Sequence, residues 1–232
     1  MKVQALFISD VHLGSKGSQA KEVLRVLKKY EPKNLFIVGD FIDGWLLKKR
    51  HYWTQDFTNV IRKVLSLSKN GCKVYYITGN HDDFLRQYSP SSFGNIKIVD
   101  EMVWKGYYIS HGDLYDGVVS LKWLGVLGSY GYEIAIWIDA LLKKLGVRRS
   151  LSSFLKKKVK SAVSFITSFE RQLAYQALAN NCQGVICGHI HTPEDKKIGI
   201  KGKQIRYLNT GDWIENTSYV VYNKGKMMLK LE

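Results

Sequence analysis

Short apolar runs, several of them ending in a small polar motif, limit the fold of this chain more than any other feature. In chain order the motifs are Asp10-Val11-His12, Gly39-Asp40, Gly79-Asn80-His81-Asp82, His111-Gly112-Asp113 and Gly188-His189-Ile190-His191. A buried strand that stops at a loop can aim the loop side chains into a cleft shared with its neighbours, so the pattern predicts a layered α/β protein with its chemistry at the strand ends. Apolar runs at 2–9, 34–38 and 72–78 alternate with amphipathic stretches at 18–30 and 55–69. The first stretch places Ala20, Val23, Leu24, Leu27 and Tyr30 on one helical face, and Asn70-Gly71 stops the second. Runs at 96–99 and 102–110 predict strands leading to His111, and strands return at 184–187, 204–208, 218–223 and 226–231.

Between His111 and Gly184 the pattern is helical only. Residues 118–145 carry Gly125, Gly128 and Gly131, each costing about 1 kcal/mol in a helix interior, which points to a bend or close helix packing. Residues 150–180 form a longer amphipathic helix with Leu151, Leu155, Val159, Ala162, Ile166, Phe169 and Leu173 on one face. Amphipathicity fits core helices and a substrate-facing cap equally well. With 232 residues, one large domain with an inserted subdomain is expected.

A net charge of +15 points to a polyanion, an anionic membrane surface or a phosphorylated substrate. Eight basic residues and no acidic one fall between Lys143 and Lys160. The chain enters an apolar strand at Val3 without a basic and apolar leader, and its best apolar run, 132–142, is broken by Glu133 and Asp139. Three cysteines without a C-x-x-C spacing fit buried thiols in a reducing compartment. The expectation is a cytoplasmic protein, soluble or peripheral to the membrane.

Five of the six histidines lie inside the motifs, and only His51 falls outside them. Imidazole, carboxylate and amide oxygen together suit Mn²⁺, Fe²⁺ or Zn²⁺ better than Mg²⁺ or Ca²⁺, and there are enough of them for two ions. Residues two apart on an extended segment face the same side, so Asp10 and His12 can hold one ion together, and His189 and His191 share that spacing.

The ordered set D-x-H, G-D-x-x-D, G-N-H-D, H-G-D and G-H-x-H resembles the calcineurin-like metallophosphoesterase superfamily over essentially the whole chain. That resemblance implies a four-layer α/β/β/α sandwich with a dinuclear site, loaded most readily with Mn²⁺. It further implies that Asp10, His12 and His191 hold one ion, that Asn80, His111 and His189 hold the other, and that Asp40 bridges them. His81 would contact phosphate and protonate the leaving oxygen, with Asp82 orienting it. For Asp82 and Asp113, support behind the ligands and loop capping are equally open.

Longer signatures narrow the resemblance. Gly39-Asp40-Phe41-Ile42-Asp43-Gly44-Trp45 lacks the arginine of the serine/threonine protein phosphatases. Together with Gly188-His189-Ile190-His191-Thr192-Pro193 and Asn209-Thr210-Gly211-Asp212-Trp213, it is similar to the UDP-2,3-diacylglucosamine pyrophosphatase group. This lipid A pathway group releases UMP and 2,3-diacylglucosamine 1-phosphate, and the helical stretch at about 117–180 resembles its cap. His81 stands where the best-known members have arginine. Candidate substrate contacts are Asp43, Trp45, Tyr115, Asp116, Lys156, Lys157 and Lys160. The lysines suit an anionic membrane, at up to about 1 kcal/mol each, or a nucleotide diphosphate, or simply a solvated helix face. Two other functions use the same residues: a nuclease or cyclic-nucleotide phosphodiesterase acting on a nucleic acid or nucleotide, and a metal-bound membrane adaptor without catalysis.

Overall fold

The computed structural model describes residues 1–115 and 151–232, with side chains in the second stretch from residue 165 onward. Strands β1 (Lys2–Ile8), β2 (Glu31–Val38) and β3 (Lys73–Ile77) lie side by side in parallel. Parallel neighbours need crossover connections, and helices α1 (Ala20–Lys29) and α3 (Gln55–Lys69) occur in the two crossovers, with the short α2 (Gly44–Lys49) before α3. Side chains alternate across the strands. Leu6, Ile8, Leu35, Ile37 and Val74 share one core with Val23 and Leu27 of α1 and Val60 and Val64 of α3. Phe7, Phe36, Val38 and Ile77 turn to the opposite face.

That opposite face meets a second sheet. Strands β4 (Ser91–Phe93), β5 (Ile96–Val99), β11 (Ser218–Asn223) and β12 (Lys226–Leu231) complete the first sheet, ordered β12-β11-β1-β2-β3-β5-β4 among the described residues. The second sheet contains β6 (Glu101–Trp104), β7 (Tyr107–Ser110), β8 (Gly184–Cys187), β9 (Glu194–Ile200) and β10 (Lys203–Asn209), ordered β6-β7-β8-β10-β9. Phe7 stacks on Phe36 at 4.4 Å between ring centroids, and the same core takes in Ile109, Ile186 and Leu208 of the second sheet. Facing sheets with helices on the outer side of the first agree with the expected α/β sandwich. Strands β7 and β8 are parallel, so the loops at His111 and Gly188 leave the second sheet at the same end.

Four elements differ from the sequence reading. The run at 102–110 breaks into a hairpin at Lys105 and Gly106, which have φ of 48° and 75°, the left-handed pair that a two-residue turn requires. Strand β2 starts three residues earlier than its apolar run because Glu31 and Pro32 pair with Lys2 and Val3. The charged β9 is an edge strand with alternating exposure, a composition that protects an edge from further pairing. Strand β4 has only three residues and no apolar alternation to announce it.

Helix α4 (Leu151–Ala179) buries Phe169, Leu173, Ala174 and Ala177. The chain forms two compact units, one of Met1–Tyr115 with Gln172–Glu232 and one of Asp116–Arg171. The first contains both sheets and all five motifs. Residues 118–145, read as helical, lie outside the described residues, apart from which no described helix is long and apolar enough to cross a membrane. Cys72, Cys182 and Cys187 are buried free thiols.

Candidate metal centre

Five strands deliver the motif residues. Asp10 and His12 follow β1, Asp40 follows β2, Asn80 and His81 follow β3, His111 follows β7, and His189 and His191 follow β8. The chain turns sharply at these ends: Asp10, His12, Asp40, His189 and His191 all have φ between 50° and 69°. Such backbone is costly for non-glycine residues and persists where its surroundings enforce it. Here the main chains are tied together. Asp10 N donates to Gly39 O at 3.1 Å, His12 N to Asp40 O at 2.9 Å, and Gly188 N to His111 O at 3.2 Å. Two glycines permit the approach, since a Cβ at Gly39 would overlap His111 Nδ1 and a Cβ at Gly79 would overlap Asp40 Oδ1.

Asp40 is the centre of the arrangement. Its Oδ1 accepts the His81 main-chain N–H at 2.7 Å. Its Oδ2 faces three imidazoles, with Nε2 of His111 at 3.4 Å, of His12 at 3.8 Å and of His81 at 3.9 Å. Asp10 divides its oxygens in the same way. Oδ2 accepts the His189 N–H at 3.1 Å, and Oδ1 faces His191 Nε2 at 3.2 Å and His12 Nε2 at 3.9 Å. His189 packs edge-on against His111, with ring centroids 5.2 Å apart.

The donors fit cations. Asp10 Oδ1, Asn80 Oδ1 and His111 Nε2 are buried without a hydrogen-bond partner among the described residues, a costly state for polar atoms. His111 Nδ1 lies 2.8 Å from Val38 O, and a carbonyl only accepts, so Nδ1 carries the proton and Nε2 turns its lone pair toward Asp40. His12 and His191 repeat the problem. Their Nδ1 atoms lie 3.2 Å from Asp43 Oδ2 and 3.1 Å from Asp212 Oδ2, which leaves two Nε2 lone pairs facing each other at 3.4 Å. A proton or a metal ion between such atoms removes the repulsion. The residues meet the geometric requirement in three groups, Asp10 with His12 and His191, Asp10 with Asp40 and His111, and His12 with Asp43 and His81.

Without ions, protons supply the balancing charge. Burial opposes ionisation of Asp40, but His111 close beside it, then the charges of His12 and His81, hold its carboxyl far below the usual range. Asp10 is lowered against its burial by His191 and then His111. Correspondingly, burial disfavours the charged form of His111, yet Asp40 and Asp10 raise it well above its ordinary value. His191 is pushed up to about 10, against burial, by Asp10 and then Asp212. Ligands that carry protons in this way must release them to a metal.

The supporting residues are placed differently from the sequence reading. Asp82 does not hold His81: its Oδ2 accepts Phe41 N at 2.9 Å and Tyr76 Oη at 2.6 Å, and its Oδ1 accepts Gly79 N at 2.6 Å. It ties the Asp40 loop to the Asn80 loop. Burial and the charge of Asp40 raise its pKa. The partner of His81 is Asp43, whose Oδ1 lies 3.0 Å from His81 Nδ1 and also caps α2 through Leu46 N at 2.9 Å. The expectation of a substrate contact at Asp43 therefore gives way to a buried role between two imidazoles, His12 and His81. Asp113 accepts Arg86 Nη2 at 2.7 Å.

Among the candidate substrate contacts, Trp45 lies over His81, with ring centroids 4.4 Å apart and 32° between the planes. Tyr115 joins a hydroxyl cluster, 2.6 Å from Tyr108 Oη and 2.9 Å from Glu101 Oε2. Asp116 lies outside the described residues, as do the side chains of Lys156, Lys157 and Lys160, whose backbone belongs to α4. Sequence reading gave no role to Arg86, Asp212 or Asn216. The only signal for Asp212 was its place in the Asn209-Thr210-Gly211-Asp212-Trp213 signature.

Comparison with known proteins follows the same outline. The chain is 27% identical to a UDP-2,3-diacylglucosamine hydrolase of Aeromonas salmonicida, covering 98% of this chain and 93% of that protein. It is 24% identical to a protein of the same name from Porphyromonas gingivalis, over 99% of this chain and 98% of that one, and 26% identical to another from Psychromonas ingrahamii, over 98% and 96%. The calcineurin-like phosphoesterase family model matches residues 3–193. That stretch starts in the first strand and runs through all five motifs, and on its extent the chain belongs to the calcineurin-like phosphoesterase family.

Proposed function

We propose that the chain hydrolyses the pyrophosphate bond of UDP-2,3-diacylglucosamine, or of a closely related lipid-linked nucleotide sugar, at two divalent ions bridged by Asp40. The observation that carries this reading is the near full-length likeness to UDP-2,3-diacylglucosamine hydrolases, in a chain whose strand ends gather donors that could hold cations. Asp10, His12, Asp40 and His191 would hold one ion, and Asp40, Asn80, His111 and His189 the other. Mn²⁺ suits these mixed donors, with Fe²⁺ and Zn²⁺ as alternatives. Bound there, such ions supply Lewis-acid activation of water and neutralise charge on the phosphoryl oxygens.

The chain's own residues do the rest. His81 turns Nε2 toward Asp40, where its N–H can hydrogen-bond a phosphoryl oxygen and pass a proton to the leaving oxygen. Asp43 lies 3.0 Å from Nδ1 of that ring and helps to orient it. Trp45 covers one face of the imidazole and restricts its rotation. The segment at about 117–180 would serve as the helical cap of a single metallophosphoesterase domain in this reading. Its basic stretch, with Lys156, Lys157 and Lys160, meets anionic headgroups or the substrate diphosphate, which would place the enzyme at the inner face of the cytoplasmic membrane.

The test offers Mn²⁺-loaded protein three substrates: UDP-2,3-diacylglucosamine, a cyclic nucleotide and single-stranded DNA. The proposal predicts UMP and 2,3-diacylglucosamine 1-phosphate in equal amounts from the first, with slow turnover of the others. Faster cleavage of DNA or of the cyclic nucleotide would assign the site to a nuclease or a phosphodiesterase. Charge reversal at Lys156, Lys157 and Lys160 should raise KM for the lipid substrate and weaken vesicle binding at low salt, with less effect at moderate salt. Hydrolysis of a small soluble phosphodiester should be unchanged; equal losses on both substrates would contradict the role given to this stretch.

A further inference from the structure

Asp212 follows β10, away from the five motifs, yet it reaches the metal centre. The residue is 1% exposed and its two oxygens have separate tasks. Oδ1 accepts the main-chain N–H groups of Glu215 at 3.1 Å and Asn216 at 2.8 Å, closing the loop on itself. Oδ2 lies 3.1 Å from His191 Nδ1. A carboxylate that accepts from Nδ1 places the imidazole proton there and leaves the Nε2 lone pair free, aimed into the space shared with Asp10 and His12. Asn216 holds the same histidine from its main chain, donating Nδ2 to His191 O at 2.8 Å, where the backbone has a φ of 63°. Asn209 does the equivalent one turn earlier, donating Nδ2 to Gly188 O at 2.9 Å while its Oδ1 accepts Gly211 N at 2.9 Å.

We propose that Asp212, assisted by Asn216, is a positioning residue of the metal centre that fixes the tautomer and orientation in which His191 offers Nε2 to a cation. The loop 209–216 thus acts as a bracket behind the Gly188-His189-Ile190-His191 turn. This inference rests on the reading of His191 as a ligand.

The division of labour between the two oxygens makes a separating variant available. In Asp212→Asn one oxygen remains to accept the main-chain N–H groups, while the position facing His191 becomes an amide N–H₂ that cannot accept from Nδ1. His191 then loses its partner or takes the tautomer with the proton on Nε2, which cannot ligate. Titration of ion-free protein with Mn²⁺, followed by direct metal analysis, should show one ion bound about 10–100-fold more weakly and the other unchanged. His191→Gln should weaken the same ion, and adding Asp212→Asn to it should cause no further loss. Wild-type affinity for both ions in Asp212→Asn, with the loss present in His191→Gln, would overturn the inference while leaving the proposed centre intact. Two ions bound at wild-type affinity by His191→Gln would overturn both. Equal weakening of both ions in Asp212→Asn would mark loop damage and also count against positioning. Should Asp212→Asn fail to fold, ¹⁵N-histidine spectra of the Zn²⁺-loaded wild-type protein decide the matter: a proton on His191 Nδ1 supports the inference, and one on Nε2 overturns it.

Discussion

The two halves of the metal centre support their imidazoles differently. On the Asp10 side, the Nδ1 atoms of His12 and His191 each meet a carboxylate, Asp43 at 3.2 Å and Asp212 at 3.1 Å. On the other side, His111 Nδ1 meets the neutral carbonyl of Val38 at 2.8 Å, and the neighbouring Asn80 brings no charge. A carboxylate partner makes an imidazole the stronger base and the stronger ligand. Similar motifs, each with histidine and a strand end, thus give His12 and His191 a carboxylate beside Nδ1 and His111 a carbonyl. From that contrast we predict that the Asp10 side holds its ion more firmly than the Asn80 side.

Removing the shared ligand should erase the comparison altogether. Asp40→Ala takes away the carboxylate proposed to serve both ions, so metal analysis should fall from about two ions per chain toward none, and hydrolysis should fall to background. Retention of two ions with full activity would break the dinuclear account. His81→Ala comes next in size. Turnover should drop by roughly 10²–10⁴-fold while both ions remain, because His81 is proposed to donate a proton and contact phosphate. Loss of metal along with activity would make His81 a ligand and redraw the boundary between the halves.

Graded chelation sharpens the comparison itself. The Asn80 side should empty first, at a chelator strength about tenfold below that needed for the Asp10 side, the low end of what supporting partners contribute to metal affinity. Anomalous scattering at each position reads the order. Simultaneous release, or release in the reverse order, would show that the supporting carboxylates do not set affinity.

The smallest effect concerns the ion-free protein. The pKa of His191 rises from an ordinary value near 6.5 to about 10 on folding. A raised pKa stabilises the folded state fully below about 6.5, and that stabilisation fades as pH climbs through about 10. With 38% of the His191 side chain exposed, solvent screening keeps the contribution modest. Chelated protein should therefore melt at progressively lower temperature across that window, and His191→Gln should flatten this slope. An unchanged slope in the variant would remove His191 from the charge balance.

Much of this arrangement was legible in the sequence because strand ends leave local marks. The apolar runs before Asp10, Asp40 and Asn80 and the helical face of Ala20, Val23 and Leu27 carry the strand and helix periods directly. Residues that act across long sequence distances leave no such mark. Asp43 reads as one more acid in a motif until the fold brings His12 and His81 to its two oxygens. Asp82 sits next to His81 in sequence, yet its carboxylate turns to Phe41, Tyr76 and Gly79. Asp212 is 21 positions from His191, and only the parallel pairing of β8 with β10 brings their loops together. The charged β9 was missed for a related reason, since an edge strand does not need the apolar period of a buried one.

The most direct test adds Mn²⁺ stepwise to ion-free protein in the presence of UDP-2,3-diacylglucosamine and follows UMP release against ions bound per chain. The account predicts little release while the first ion binds, then a rise to a maximum at two ions. Full turnover with one ion or none, or two bound ions with no UMP formed, would contradict it.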